Sequence, residues 1–250
     1  MVKVVKGAVW TDWFPVKHSS TLYVGQLVKY ITSGVEPLPA AAAGPAVVYP
    51  FGVVVGLNDQ NPTYDTTYKT NSSAAVATQA LELARKWTGT GGMTTKGEPG
   101  LMAQVAMISS NTILQATIAK ALDTPPTVVT VTTRSATGSG FTHGASDAAS
   151  VAYWQTHYCR KGSNRGLYRS SYATSTTTPT FYLTYPYDVE VGDTFCVANV
   201  GLGRSGIQFD AQGYFIDNDA ATSTNYYLVD VLSLNLEKAG EETATFRFVL

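Results

Sequence analysis

The sequence predicts a mainly β protein, built of antiparallel barrel or sandwich modules with one or two short helices. The first observation behind this is a succession of short runs rich in Val, Ile, Tyr, Phe and Thr, punctuated by Gly, Pro, Asn and Asp. The second is a plan that occurs twice. Leu22-Tyr-Val-Gly-Gln-Leu-Val-Lys-Tyr-Ile-Thr-Ser-Gly34 and Thr180-Phe-Tyr-Leu-Thr-Tyr-Pro-Tyr-Asp-Val-Glu-Val-Gly-Asp-Thr-Phe-Cys-Val-Ala-Asn-Val-Gly201 each carry a Val-Gly pair, a polar residue and an extended apolar run closed by Gly. Glycine accepts a positive φ, so each pair reads as a corner where two strands meet. Gly52-Val-Val-Val-Gly-Leu-Asn-Asp59 and Gly213-Tyr-Phe-Ile-Asp-Asn-Asp219 match again, 27 and 21 residues after Gly25 and Gly192 respectively. The third observation is length: 250 residues can bury a sizeable core as one large all-β unit or two smaller ones. The division expected is residues 1–125, a barrel-like module containing a helix over 72–87, and residues 126–250, a sandwich or barrel module.

Val2 to Trp13 reads as extended. Thr21 to Asp59 reads as three strands interrupted by Glu36-Pro-Leu-Pro-Ala-Ala-Ala-Ala-Gly-Pro45, whose prolines forbid a helix and favour an exposed loop. Asn58 to Asn71 is polar and turn-rich. Ser72 to Trp87 has helical character: Ser72 or Ser73 can cap it, and Val76, Ala80, Leu83, Ala84 and Trp87 share one face. Thr88-Gly-Thr-Gly-Gly92 ends it. Gly100 to Leu122 alternates as two strands around Ser109-Ser-Asn111, and Pro126 to Arg134 is a Val/Thr strand. Ser135 to Gly144 is a glycine-rich loop. A second short helix is expected over Asp147 to Tyr158, with Val151, Trp154 and Tyr158 on one face. Strands then follow at Leu167–Ala173, Thr180–Tyr185, Thr194–Val200, Ile207–Asp217, Tyr226–Leu236 and Thr243–Leu250.

Charged residues make up 14% of the chain, against roughly 25% in ordinary soluble domains. Seventeen basic and eighteen acidic side chains nearly cancel, so no field draws the protein to nucleic acid or an anionic membrane. A surface of Thr, Ser, Asn, Gln and Tyr costs little to desolvate, which suits packing against other subunits. Cys159 and Cys196 form no Cys-x-x-Cys pair and read as free buried thiols. The first ten residues lack the apolar stretch of a secretion signal, and the most apolar window, 46–57, is too short and too broken to span a bilayer. A soluble protein made in a reducing cytoplasm is expected.

The candidate chemistries are each outweighed by a simpler role. His143 and Asp147 with Ser139 or Ser146 contain the residue types of a nucleophilic triad, but no Gly-x-Ser-x-Gly elbow accompanies them. His157, Cys159 and His143 contain metal-ligating types without the paired short spacings of zinc sites. Asn58-Asp59 with Asp65, and Asp217-Asn-Asp219, offer oxygens to calcium but lack the twelve-residue loop and its closing Glu. Arg160-Lys-Gly-Ser-Asn-Arg-Gly-Leu-Tyr-Arg169 carries four cations, and reads as a solvated turn or a contact for an acidic surface. The loop from Gly138 to Gly144 has no Lys-Ser/Thr to complete a phosphate cradle. No catalytic residue, metal or cofactor is therefore expected, and no enzyme. Trp10-Thr-Asp-Trp-Phe14 remains: Trp10, Trp13 and Phe14 either bury in the chain's own core or dock on a neighbouring subunit.

At Tyr23-Val-Gly-Gln-Leu-Val-Lys29, Pro50-Phe-Gly-Val-Val-Val-Gly56, Phe141-Thr-His143, Arg165-Gly-Leu-Tyr-Arg169 and Tyr185-Pro-Tyr-Asp-Val-Glu-Val-Gly-Asp-Thr-Phe195, the sequence resembles virion structural proteins of tailed bacteriophages. The first two stretches are similar to the small β-barrel of head decoration (cement) proteins. The resemblance implies a non-enzymatic capsid component on an outer lattice site, often a trimer, whose partner is the major capsid protein and whose location is the virion. It brings no functional residues to carry over, because such proteins act through surfaces. Another virion part (a jelly-roll shell protein, a tail component, or a fibre or spike binding a receptor or glycan) is the alternative, with Trp10, Trp13, Trp154 and Tyr226-Tyr227 as stacking platforms.

Overall fold

The computed structural model describes residues 1–7, 10–17, 20–32, 34–39, 50–58, 68–71, 102–121, 124–134, 138–144, 155–175, 177–210, 213–218 and 226–249. Among these residues all regular structure is β. The helix expected over 72–87 lies outside them, as do residues 147–154 of the second. The remainder of that second helix is corrected: Thr156–Lys161 is a strand. Thr156 and Tyr158 pair with Ala198 and Cys196 on one side and with Ser170 and Tyr168 on the other. Two ladders on one β-branched and aromatic segment outweigh a single apolar helical stripe.

The first barrel comprises β2 (Thr11–Pro15), β4 (Leu27–Ile31), β5 (Gly34–Pro37), β6 (Gly52–Asn58) and β8 (Met102–Met107) in the order β2-β8-β6-β4-β5. A parallel bridge between Val16 and Val35 returns β5 to the end of β2, so the sheet is nearly closed. A small ladder of β3 (Ser20–Tyr23) and β7 (Tyr68–Asn71) flanks it. The second barrel contains β10 (Val128–Thr133), β11 (Thr142–His143), β12 (Thr156–Lys161), β13 (Tyr168–Ser175), β14 (Thr178–Phe181) and β15 (Thr194–Ala198), in the order β11-β10-β15-β12-β13-β14. The two Val-Gly pairs stand where the sequence predicts corners. Gly25 (φ 84°) turns the chain into β4 and Gly192 (φ 92°) turns it into β15.

Between the barrels lies a central sheet in the order β1-β9-β19-β18-β16, made of β1 (Val2–Lys6), β9 (Ile113–Ala119), β16 (Gly203–Ile207), β18 (Tyr227–Asn235) and β19 (Thr243–Phe248). β17 (Ile216–Asp217) pairs parallel to the end of β9. This sheet hydrogen-bonds strands from either side of residue 125, because β9 and β19 are direct neighbours. Ser109-Ser-Asn111 is not the tip of a hairpin: β8 before it belongs to the first barrel and β9 after it to the central sheet. Ile207–Asp217 likewise divides, with β16 ending at Ile207 and β17 beginning at Ile216.

Strand alternation explains how three sheets share cores. Phe195 and Val197 of β15 point into the second barrel with Val129, Val131, Phe141 and Phe181. Their neighbours Cys196 and Ala198 point out, onto Phe209, Val229, Phe246 and the rest of the central core. In the first barrel Val28 and Val54 face the lumen, whereas Leu27 and Val53 join the same central core. A period-2 strand whose two faces are both buried reads as an unbroken apolar run, which is the pattern at 27–28, 53–54 and 195–198. The central core is therefore what joins the barrels.

Candidate functional site

Two kinds of place can carry function here: buried polar groups and exposed apolar ones. The buried groups in the second barrel are His143 and His157. β11 and β12 are separated by two strands in each direction around the barrel, so these histidines sit on opposite walls. His157 meets the rings of Phe181 and Phe141 at 5.2 and 6.0 Å, and its carbonyl accepts a 2.6 Å hydrogen bond from the Tyr185 hydroxyl. Nδ1 of His157 is buried with no hydrogen-bond partner. Burial in this aromatic lumen pushes the His157 imidazole down to about 3, and His143 adds to the depression, so the ring is neutral at physiological pH. Cys159, on the same wall, donates its thiol to the Lys161 carbonyl, and burial followed by the charge of Asp193 pushes it up to about 11. A neutral imidazole and a protonated thiol packed among phenylalanines are unsuited to nucleophilic work. Among the described residues no three His, Cys, Asp or Glu side chains converge as a metal would require.

The remaining polar candidates among the described residues are occupied structurally. Asp147, Ser146, Asp59, Asp65 and Asp219 lie outside the described residues. Asn218, between Asp217 and Asp219, pins β17 to β15: its Oδ1 accepts from the Asn199 amide at 2.7 Å and its Nδ2 donates to the Val197 carbonyl at 3.1 Å. The basic run disperses rather than forming an anion site. The Arg160 guanidinium donates to Glu242 Oε1 at 2.5 Å and to the Leu236 carbonyl at 2.7 Å, in a nearly buried pair joining β12 to the β18–β19 turn. Arg165 faces Glu237 at 3.6 Å on the surface, and Arg169 lies 5.3 Å from the centre of the Tyr185 ring.

Two groups stand out among the exposed apolar side chains. Trp10, Trp13 and Phe14 part company on the first barrel. Trp10 is 78% exposed and Trp13 42%, while Phe14 packs edge-on against Phe51 at 4.9 Å and Tyr30 at 5.9 Å. Both tryptophans are held by the β2–β8 ladder, since Trp13 pairs with Gln104 and the Trp10 carbonyl accepts from Met107. Trp13 is thus presented on a paired strand and Trp10 at its start, not on a loose arm. The second group belongs to the second barrel. A register shift in the β13–β14 ladder falls at Tyr172, and the Tyr172 and Tyr182 rings lie 4.9 Å apart at 53°. Leu183 is 70% exposed and Tyr187 60%. Tyr226 stays exposed, but Tyr227 is buried with its hydroxyl donating to the Pro39 carbonyl at 2.8 Å, so that pair is no platform.

The tyrosine group was not legible in the sequence, because only the bulge brings Tyr172 beside Tyr182. No helix among the described residues is long and apolar enough to cross a membrane. No family model, no curated protein and no solved structure matches the chain.

Proposed function

We propose that the protein is a non-enzymatic virion structural component, a decoration protein that binds the outer capsid lattice and stabilises the head. The observation that carries this reading is the display of Trp13 on a strand paired within a barrel, with Trp10 exposed immediately before it. Large exposed aromatics held at low conformational cost are the residues that anchor protein interfaces. The three-sheet body joined by one central core suits a part that must bear load without deforming. In this reading the partner is the major capsid protein, and the protein acts as a homo-oligomer, a trimer, so that several modest contacts add through avidity.

The test is addition of the purified chain to undecorated capsids, followed by sedimentation and image reconstruction. Saturable, symmetric binding with raised thermal resistance of the head supports the reading, and Trp10→Ala with Trp13→Ala weakens that binding without unfolding the chain. No binding to any capsid state of the parent particle refutes it. A second reading, a spike or fibre component that binds glycan, draws on the exposed Tyr172–Tyr182 pair. A glycan screen in which Tyr172→Ala abolishes every hit distinguishes that case.

A further inference from the structure

The second barrel closes along a narrow seam. β11 is only two residues long and pairs with β10 through Val131–His143 and Thr133–Thr142. On its other side the barrel is completed by the Gly140–Thr180 bridge and by three hydrogen bonds, His143 amide to Thr177 carbonyl at 2.9 Å, Phe181 amide to Ser139 carbonyl at 3.0 Å and Tyr185 amide to Gly138 carbonyl at 3.0 Å. The glycine-rich loop makes this approach feasible, since a Cβ on Gly140 would stand 2.6 Å from the Pro179 carbonyl oxygen. An open cavity of about 340 Å³ lies along the seam, lined from both sides by Ser139, Phe141, Thr142, Thr178 and Thr180. Behind the seam stand the two buried histidines, His143 on the seam strand itself and His157 on the opposite wall.

We infer that this seam is an acid-operated opening, released when His157 takes up a proton while the central sheet and first barrel stay folded. The inference does not depend on what the exposed surfaces bind. Among the described residues no carboxylate stands beside Phe141, Phe181, Phe195 and Tyr185 to offset the desolvation of a charged imidazole, and the hydrogen bond between His157 and the Gln155 backbone opposes that cost only in part. Among the described residues the titratable and charged groups around it are few. β11 contributes His143, β12 contributes Cys159, and the segment after β14 contributes Tyr185, with Arg169 over its ring. Asp193 lies at the start of β15 against Gly162, and Arg134, after β10, is paired outside the barrel with Asp188 and Glu190. The inward residues of β10, β14 and β15 (Val129, Val131, Phe181, Phe195, Val197) carry no charge. Opening hydrates His157, and a second charge on His143 would repel it. Among the breaks available to this barrel, the two-residue strand needs the fewest hydrogen bonds to part.

The sign and size follow from linkage. His157 is held near 3 when enclosed and returns to 6.5 when hydrated, so acid favours the open form throughout that interval. Between about pH 7 and about pH 4.5 the opening constant rises roughly 70-fold from this one group. Hydrogen–deuterium exchange of the full chain, corrected for intrinsic amide rates, reads this directly. Seam amides over 138–143 and 177–181 are expected to gain close to that factor, while β18 and β19 change by less than about threefold. His157→Leu, which has no titrating group, should remove most of the gain. Loss of protection in all three sheets together, or an unchanged gain in His157→Leu, overturns the inference. Carbon-13 spectra of the wild-type histidine rings provide a check that needs no variant. A neutral His157 signal that persists in acid beside a growing imidazolium signal supports the seam, and a single signal titrating near 6.5 overturns it.

Discussion

Replacing Arg160 by methionine should be among the most damaging single changes to a residue with no part in the apolar cores. Glu242 is 1% exposed and Arg160 11%, so the carboxylate has no water to fall back on and the guanidinium has little. In the native chain Glu242 Oε1 accepts from the guanidinium at 2.5 Å and Oε2 from the Gly240 amide at 2.8 Å. Arg160→Met leaves the carboxylate enclosed with the Gly240 amide, and leaves the Leu236 carbonyl without its 2.7 Å donor. Removing one partner of a buried ion pair costs about 3–5 kcal/mol, several times the value of an exposed pair. At about 2–4 °C per kcal/mol for a chain of this size, Tm should fall by roughly 6–20 °C. The double variant Arg160→Met with Glu242→Leu removes both charges at once and should recover most of that loss. Differential scanning calorimetry of wild type, both single variants and the double variant closes the cycle. A Tm change under about 2 °C for Arg160→Met, or a double variant as unstable as the sum of the singles, would show that the pair is solvated and the reasoning wrong.

Phe246→Ala, at a fully buried position of the central core, should cost about 3–5 kcal/mol in urea denaturation, because the three sheets meeting there cannot all relax into the void. Asn218→Ala should cost about 1–3 kcal/mol by the same measurement, since the Asn199 amide and Val197 carbonyl lose their partner in a buried setting. Cys159 and Cys196 should resist iodoacetamide at about pH 8 and react on denaturation; rapid native labelling of Cys159 would contradict its enclosure and its raised pKa. Gly140→Ala should raise exchange at the seam amides first, as the new methyl group meets the Pro179 carbonyl, and unchanged seam protection would count against the close approach.

Much of the secondary structure was legible because strand signals are local. Val-Thr alternation marks β10, the Ala244-Thr-Phe-Arg-Phe248 run marks β19, and a glycine between apolar runs marks the corners at Gly25 and Gly192. The helix expected to reach Tyr158 illustrates the limit. Tyr158 does suit the apolar face of a helix, but its surroundings are decided by Cys196 and Tyr168, distant in sequence. The exposed aromatics show the same division. Composition singles out Trp10, Trp13 and Phe14, yet only the ladder with β8 turns Trp13 outward and tucks its neighbour Phe14 against Phe51, while Trp10 is exposed just before the strand. The Arg160–Glu242 pair spans 82 residues and has no local signature at all.

The chain by itself determined that it would be β-rich, weakly charged and punctuated by glycine corners, since those properties follow from residue type and nearest-neighbour spacing. Which strands became neighbours, and so which residues share a core, was decided only when the sheets packed. Each strand offers two faces of nearly equal apolarity at 27–28, 53–54 and 195–198, and side-chain alternation states that the faces are opposite without saying what lies across from them. That choice rests on contacts between residues far apart in the chain, such as β9 with β19 or Leu27 with the central core, and these are made only by burying all three sheets together.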